Sequence, residues 1–295
     1  MRPKFGTIAG LAGRQHGRVS WRQLVDRGID ADQIRRWVRG GRLLPVHHGV
    51  YAVGHTAPSL FGDLMAAVLA CGDGAAVSHA SGAHLLSVAR AVPARPEITV
   101  PTTAGRRRPG IVVHRVRDLH PRDVCTWQGI PVTTVPRVLL DLAPRLEPAD
   151  LARACHEAWV HHRMTPAMVE ACIARNPGKK GAAKLRRALG GDVTLSFLED
   201  AFVRLVKTHD LPLPRTNIDR RGDKVDCFWP QHDLTVELIT FRYHATRWGF
   251  ENDNARRRRS SHIAYTYGDV IERPAATADD LAGRLRLGAG QQPGA

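Results

Sequence analysis

The sequence predicts a multidomain α+β chain, on three observations. Its 295 residues exceed one compact core, since domains run about 100–200 residues. Apolar periodicity switches between helical and strand-like in separate blocks. The charge is uneven: residues 1–60 hold 10 Lys/Arg against 3 Asp/Glu, while residues 196–295 hold 15 against 14. Overall the chain is formally +15, a field that favours polyanions such as DNA or RNA. Hydrophobic residues at 43% and charged residues at 24% exclude a mostly disordered chain. Apolar stretches such as Leu64–Cys71 fall far short of the roughly 20 residues of a membrane span. Met1-Arg2-Pro3-Lys4-Phe5-Gly6 leads into no apolar signal region, so a cytoplasmic protein without membrane partners is expected. The five cysteines are scattered, with no CxxC, and read as reduced thiols rather than a disulfide framework or structural zinc site.

Thr7–Gly17 reads as a first helix. Ser20 is an N-cap with Gln23 at the capping-box position, and Trp21, Leu24 and Val25 supply the stripe of a second helix that stops at Gly28. Asp30 caps a third helix, Ala31–Arg39. There Ile34, Trp37 and Val38 are apolar and Arg35, Arg36 and Arg39 polar. Two short strands follow around the His48-Gly49 turn. Helix, helix-turn-helix and hairpin is the order of a winged helix, with Trp37 expected in its core.

Ser59–Cys71 and Ser78–Ser87 read as helices, followed by strands at Glu97–Pro101, Ile111–Arg115 and Gly129–Thr134, then a helix at Val135–Leu142. Three helices are expected over 148–190, with Asn176–Gly181 as a linker. The last block starts with a helix at Ser196–His209, capped by Ser196 with Glu199 three residues on. Strands follow at Asn217–Asp219, Lys224–Trp229 and Leu234–Leu238. A helix over Trp248–Ser261, a strand at Ile263–Tyr267 and a helix at Asp279–Leu287 complete it.

A recognition helix meets bases with its exposed side chains while flanking basic groups take phosphates. Gln33, Arg35, Arg36 and Arg39 fit that task, because Arg pairs bidentately with guanine and Gln with adenine. Arg42, His47 and His48 on the hairpin would reach backbone or minor groove. The plainer alternative is a protein-interaction module with a solvated basic face. In the last block, Glu199, Asp226 and Glu237 stand one per element among apolar neighbours, as carboxylates around a Mg²⁺ ion would. The alternative pairs Asp226 and Glu237 with arginines of the Arg256–Arg259 run. His244, seven residues past Glu237, is a candidate general acid or base. His47-His48 and His161-His162 lack the i, i+4 spacing of a helical metal site.

The string Gly41-Arg42-Leu43-Leu44-Pro45-Val46-His47-His48-Gly49-Val50-Tyr51-Ala52-Val53-Gly54 resembles the winged-helix domain of AbiEi-type antitoxins of type IV toxin–antitoxin systems. Val77-Ser78-His79-Ala80-Ser81 and residues 129–143 resemble the second antitoxin region. Residues 194–287 resemble the Vsr-like (very-short-patch-repair) endonuclease domains of the PD-(D/E)XK superfamily. The resemblance implies catalytic Glu199, Asp226, Glu237 and His244, with Asp226 and Glu237 as Mg²⁺ ligands. Ile239 departs from it, standing where an acidic or basic residue is expected. An isoleucine neither binds an ion nor orients water, which implies weak or no cleavage.

The expected organisation is a winged helix over 1–58, an α/β antitoxin-like middle domain with helical linker over 59–190, a nuclease-fold domain over 191–288 and a disordered tail over 289–295. The expected function is transcriptional regulation through operator duplex DNA, with a cognate toxin and a homodimer as partners. The rival is a Mg²⁺-dependent DNA endonuclease.

Overall fold

The computed structural model describes residues 5–103, 105, 107–189, 192–220, 223–239 and 261–289. It is mixed helix and sheet, and its contacts gather into two units. One comprises Met1–Pro144 and Ala167–Gly181, the other Arg145–Pro166 and Ala182–Ala295.

The first unit opens with α1 (Phe5–Arg14), β1 (Arg18–Ser20), α2 (Trp21–Val25), α3 (Ala31–Arg39), β2 (Leu43–His47) and β3 (Val50–Val53). Helix α1 ends before the expected Gly17, because His16 and Gly17 turn the backbone at φ 50° and 77°. The capping box forms: the Gln23 amide donates to Ser20 Oγ at 3.2 Å and Ser20 N donates to Gln23 Oε1 at 3.0 Å. Asp30 accepts from Gln33 N at 2.6 Å and starts α3. The strands form an antiparallel sheet in the order β1-β3-β2, turning at Gly49 with φ 70°. Ile8, Leu11, Val19, Leu24, Ile34, Trp37 and Leu43 fill the core, so Trp37 is buried as expected.

The same unit continues with α4 (Leu60–Cys71), capped by Ser59, β4 (Ala76–Val77), α5 (His79–Leu85), β5 (Glu97–Val100), β6 (Val112–Arg115), β7 (Val124–Trp127), β8 (Ile130–Thr133) and α6 (Val135–Leu142). These strands make a five-stranded sheet, β6-β5-β4-β8-β7. β5–β6 and β4–β8 are parallel, and the other two ladders antiparallel. A Cβ on Gly82 would meet Val138 Cγ2 at 2.8 Å, so glycine is what lets α5 approach α6.

Helix α8 (Pro166–Arg175) and the chain up to Gly181 also belong here. The segment expected as a linker is tied down instead. Arg137, fully buried, donates to Asp141 Oδ2 at 3.0 Å and to Asn176 Oδ1 at 2.9 Å. Arg175 Nη2 and Asn176 Nδ2 each donate to Asp123 at 2.6 Å, and Lys179 pairs with Asp141. Buried charges need such partners, and Pro177-Gly178 gave no sign of them.

The second unit holds α7 (Pro148–His162), α9 (Ala182–Leu189), α10 (Asp192–Thr208), β9 (Arg215–Arg220), β10 (Asp223–Trp229), β11 (Leu234–Ile239), β12 (Ser261–Thr266), a π-helical turn (Gly268–Glu272) and α11 (Pro274–Ala289). The sheet order is β12-β11-β10-β9, with β11–β12 parallel and the rest antiparallel. Leu198, Phe202, Val206, Trp229, Val236 and Leu281 are among its core residues. Helix α10 starts at Asp192, so Ser196 lies inside it and is not its cap. The expected helix over 248–261 and the Arg256–Arg259 run lie outside the described residues, apart from Ser261, which opens β12. No described helix is long and apolar enough to cross a membrane.

Candidate nucleic-acid interface and carboxylate site

Helix α3 buries Ile34 and Trp37 and exposes Arg35, Arg36 and Arg39. Arg42 and His48 are exposed, and Gln33 and His47 half-buried. A cleft of about 640 Å³ runs between α3 and the β2–β3 hairpin. Arg35, Arg39, His47 and His48 share its walls, over apolar Trp21, Val38 and Tyr51. Neither Arg36, Gln33 nor Arg42 lines it. Arg36 Nη2 donates along the helix to Gln33 Oε1 at 2.8 Å, and Arg35 Nη2 to Asp32 Oδ1 at 2.5 Å. The bond from Arg35, then its charge, holds the Asp32 carboxyl below the usual range. Burial pushes the His47 imidazole down, against an opposing pull from Asp63, so at neutral pH this wing residue offers a hydrogen bond rather than a charge.

In the second unit, the β10–β11 ladder pairs Cys227 with Val236. One position further sets Asp226 opposite Glu237, on one face of the sheet. Glu237 is buried, while Glu199 on α10 is half-buried and its Oε2 accepts from Asn217 Nδ2 of β9 at 3.2 Å. Asp226 Oδ2 accepts from Leu238 N at 2.7 Å. Burial pushes the Asp226 carboxyl up to about 6; the Leu238 amide opposes this, and the charges of Glu199 and Glu237 add to it. The Asp226 carboxyl therefore senses both glutamates. His244 lies outside the described residues, as does the Ile239 side chain; the Ile239 backbone closes β11 beside Thr266.

The sequence reading missed His262. Its Nε2 stands 3.0 Å from Glu237 Oε1, across the parallel β11–β12 pair. The only local signal was a histidine just before an apolar strand. Parallel pairing joins residues far apart in sequence, so local pattern does not find them.

The first unit's opening elements have the arrangement of a winged helix-turn-helix, a class whose second helix and wing face outward together. Residues 7–54 match the model of a family described as transcriptional regulator, AbiEi antitoxin. No curated protein matches the chain. Among solved structures, the crystal structure of RV2827C protein from Mycobacterium tuberculosis is similar at 20% identity and a TM-score of 0.43, over 65% of this chain and 78% of that chain.

Proposed function

We propose that the chain is a cytoplasmic transcriptional regulator of the AbiEi antitoxin type. It reads duplex operator DNA with α3 and the hairpin wing, and works with a cognate toxin. One observation carries the reading: Arg35, Arg39, His47 and His48 converge on one cleft between α3 and the wing. The family match over residues 7–54 supports it. Arg35 and Arg36 would exchange their bonds to Asp32 and Gln33 for base edges, while Arg42 takes phosphate. A homodimer would present two such helices to a palindromic site.

The test is binding of the full chain to duplex DNA from upstream of its own gene, beside a scrambled duplex, over a salt series. Preference for the upstream duplex and a steep loss of affinity with salt are expected. Arg39→Ala should cost about 1–3 kcal/mol of binding. Absence of binding to either duplex at low salt would overturn the reading.

A second reading, a Mg²⁺-dependent endonuclease of the Vsr-like type, is favoured by one observation: the β10–β11 register sets Asp226 opposite Glu237, and burial, with the charges of Glu199 and Glu237, pushes the Asp226 carboxyl up. The donor chemistry suits Mg²⁺, which takes one or two carboxylates and completes its shell with water. Asp226 and Glu237 would hold it, and the ion would supply the positive charge that phosphodiester hydrolysis needs. Glu199 would stand beside them, the resemblance adds His244 as general acid or base, and Ile239 would hold cleavage low. Nicking of supercoiled plasmid by the full chain with Mg²⁺ or Mn²⁺ decides this. Little or no cleavage is expected from the wild type, with partial gain in Ile239→Asp. Robust wild-type cleavage that Asp226→Ala abolishes would put the endonuclease first.

A further inference from the structure

Three side chains outside both sites meet on the five-stranded sheet. His79 opens α5, Glu97 opens β5 and His114 lies on β6. The parallel β5–β6 ladder sets Glu97 beside Val112 and Thr99 beside His114. Glu97 and His114 thus share a face, one pleat apart. His114 Nε2 is 2.6 Å from Glu97 Oε2. The His79 ring stacks on that of His114, with centroids 3.6 Å apart and planes inclined by 17°. One ligand atom from each residue lies within 4.8 Å of the other two. Among the described residues, no other three histidine, cysteine, aspartate or glutamate side chains gather in this way.

The His79 ring is also held from behind. Ser78 stands at the N-cap of α5, but its hydroxyl makes no capping bond. Instead it lies 2.9 Å from His79 Nδ1 and accepts from Thr99 Oγ1 at 2.8 Å. Ligation through Nε2 would leave the Ser78 contact at Nδ1 in place. Fixing one imidazole nitrogen so that the other faces an ion is how proteins orient metal-binding histidines.

We propose that His79, Glu97 and His114 bind a divalent transition-metal ion of the Zn²⁺ type. Two imidazoles and one carboxylate favour Zn²⁺ over Mg²⁺ or Ca²⁺, which take oxygen sets. The ion takes the place of the His114–Glu97 hydrogen bond: His114 binds through Nε2 as a neutral imidazole with its N–H on Nδ1, Glu97 binds as the carboxylate, and any proton beyond these goes to solvent. The two rings fan apart, and the three ligand atoms settle about 3.3 Å from one another around the ion. A water molecule completes the tetrahedron. The site joins the start of α5 to β5 and β6, so the ion links elements that are otherwise distant in sequence.

The experiment titrates chelator-treated full-length protein with Zn²⁺ and Co²⁺ by calorimetry and visible absorption. One ion per chain at micromolar or tighter affinity is expected, with the intense bands of tetrahedral Co²⁺. Glu97→Gln and His114→Ala should each weaken binding at least tenfold while circular dichroism shows a folded chain. His161→Ala with His162→Ala should leave it unchanged. If either site variant fails to fold, zinc X-ray absorption on the wild type decides, with two imidazoles and oxygen donors expected. The proposal is overturned by the absence of stoichiometric binding, by binding that survives both site substitutions, or by thiolate ligands in the absorption spectrum.

Discussion

In the β5–β6 pair, Glu97 meets His114 at 2.6 Å; in the β11–β12 pair, Glu237 meets His262 at 3.0 Å. Both contacts run one pleat off the register of a parallel ladder, and in both a threonine, Thr99 or Thr235, stands beside the histidine. What surrounds them differs. Around Glu97 a second imidazole and a chain of hydroxyls assemble: His79, Ser78 and Thr99. Opposite Glu237 comes a further carboxylate, Asp226, which also feels the charge of Glu199. The same strand geometry thus carries a nitrogen-rich set in one unit and an oxygen-rich set in the other. The neighbours, not the Glu–His contact, set the chemistry.

The largest effect that would sharpen this contrast is expected at Asp226. Its carboxyl titrates near 6 in the fold and near 3.9 in the unfolded chain. Below about pH 3 both states are protonated and burial carries no penalty. As pH rises from about 3 to 6 the unfolded chain ionises first, so folding stability falls, and above about 6 the full penalty of about 2–3 kcal/mol is present. Asp226→Asn should therefore raise stability by that amount at pH 8 and leave it nearly unchanged at about pH 3, as read by urea unfolding. Equal stability of the two proteins at pH 8 would show that the oxygen-rich set carries no strain.

Zinc should come next. At a hundredfold excess over its dissociation constant, a ligand of the folded state adds about 2.7 kcal/mol. Zn²⁺ should raise the Tm of the wild type and of Glu237→Gln equally, and that of Glu97→Gln clearly less, since tenfold weaker binding leaves about 1.4 kcal/mol. A rise lost in Glu237→Gln instead would reverse the assignment of the two sets. The smallest effect concerns coupling within the oxygen-rich set. Glu237→Gln removes one neighbouring negative charge, so the Asp226 carboxyl should titrate lower, as followed by carboxyl carbon NMR. An unmoved Asp226 would separate the two residues.

Local chemistry was legible in the sequence. Ser20 with Gln23 and Asp30 marked two helix starts, and the pattern of Ile34 and Trp37 gave the buried side of α3. The expected strands Lys224–Trp229 and Leu234–Leu238 match β10 and β11 to within one residue, and with them the strand positions of Asp226 and Glu237. What escaped depends on partners far along the chain. β4 is two residues long and shows no alternation, yet it opens the element that carries His79. His114 reaches Glu97 only through parallel pairing, as His262 reaches Glu237. Ser196 offered a persuasive cap, but the helix had already begun at Asp192. Asn176 and Lys179 read as linker because nothing nearby in sequence announces Asp123 or Asp141.

Those last contacts also impose a schedule on synthesis. The chain leaves the first unit after Pro144 and returns to it at Ala167. Arg175, Asn176 and Lys179 therefore emerge from the ribosome well after the aspartates they serve. At about 5–20 residues per second, that interval is on the order of a few seconds. Until it ends, Asp123 has Arg137 nearby at 3.7 Å but lacks Arg175 and Asn176. A half-made first unit thus holds an under-satisfied charge cluster, and its completion waits for a segment that the second unit's first helix, α7, precedes. The two units are interleaved in time as well as in sequence, so a truncation at residue 144 should yield a fragment that holds its fold poorly.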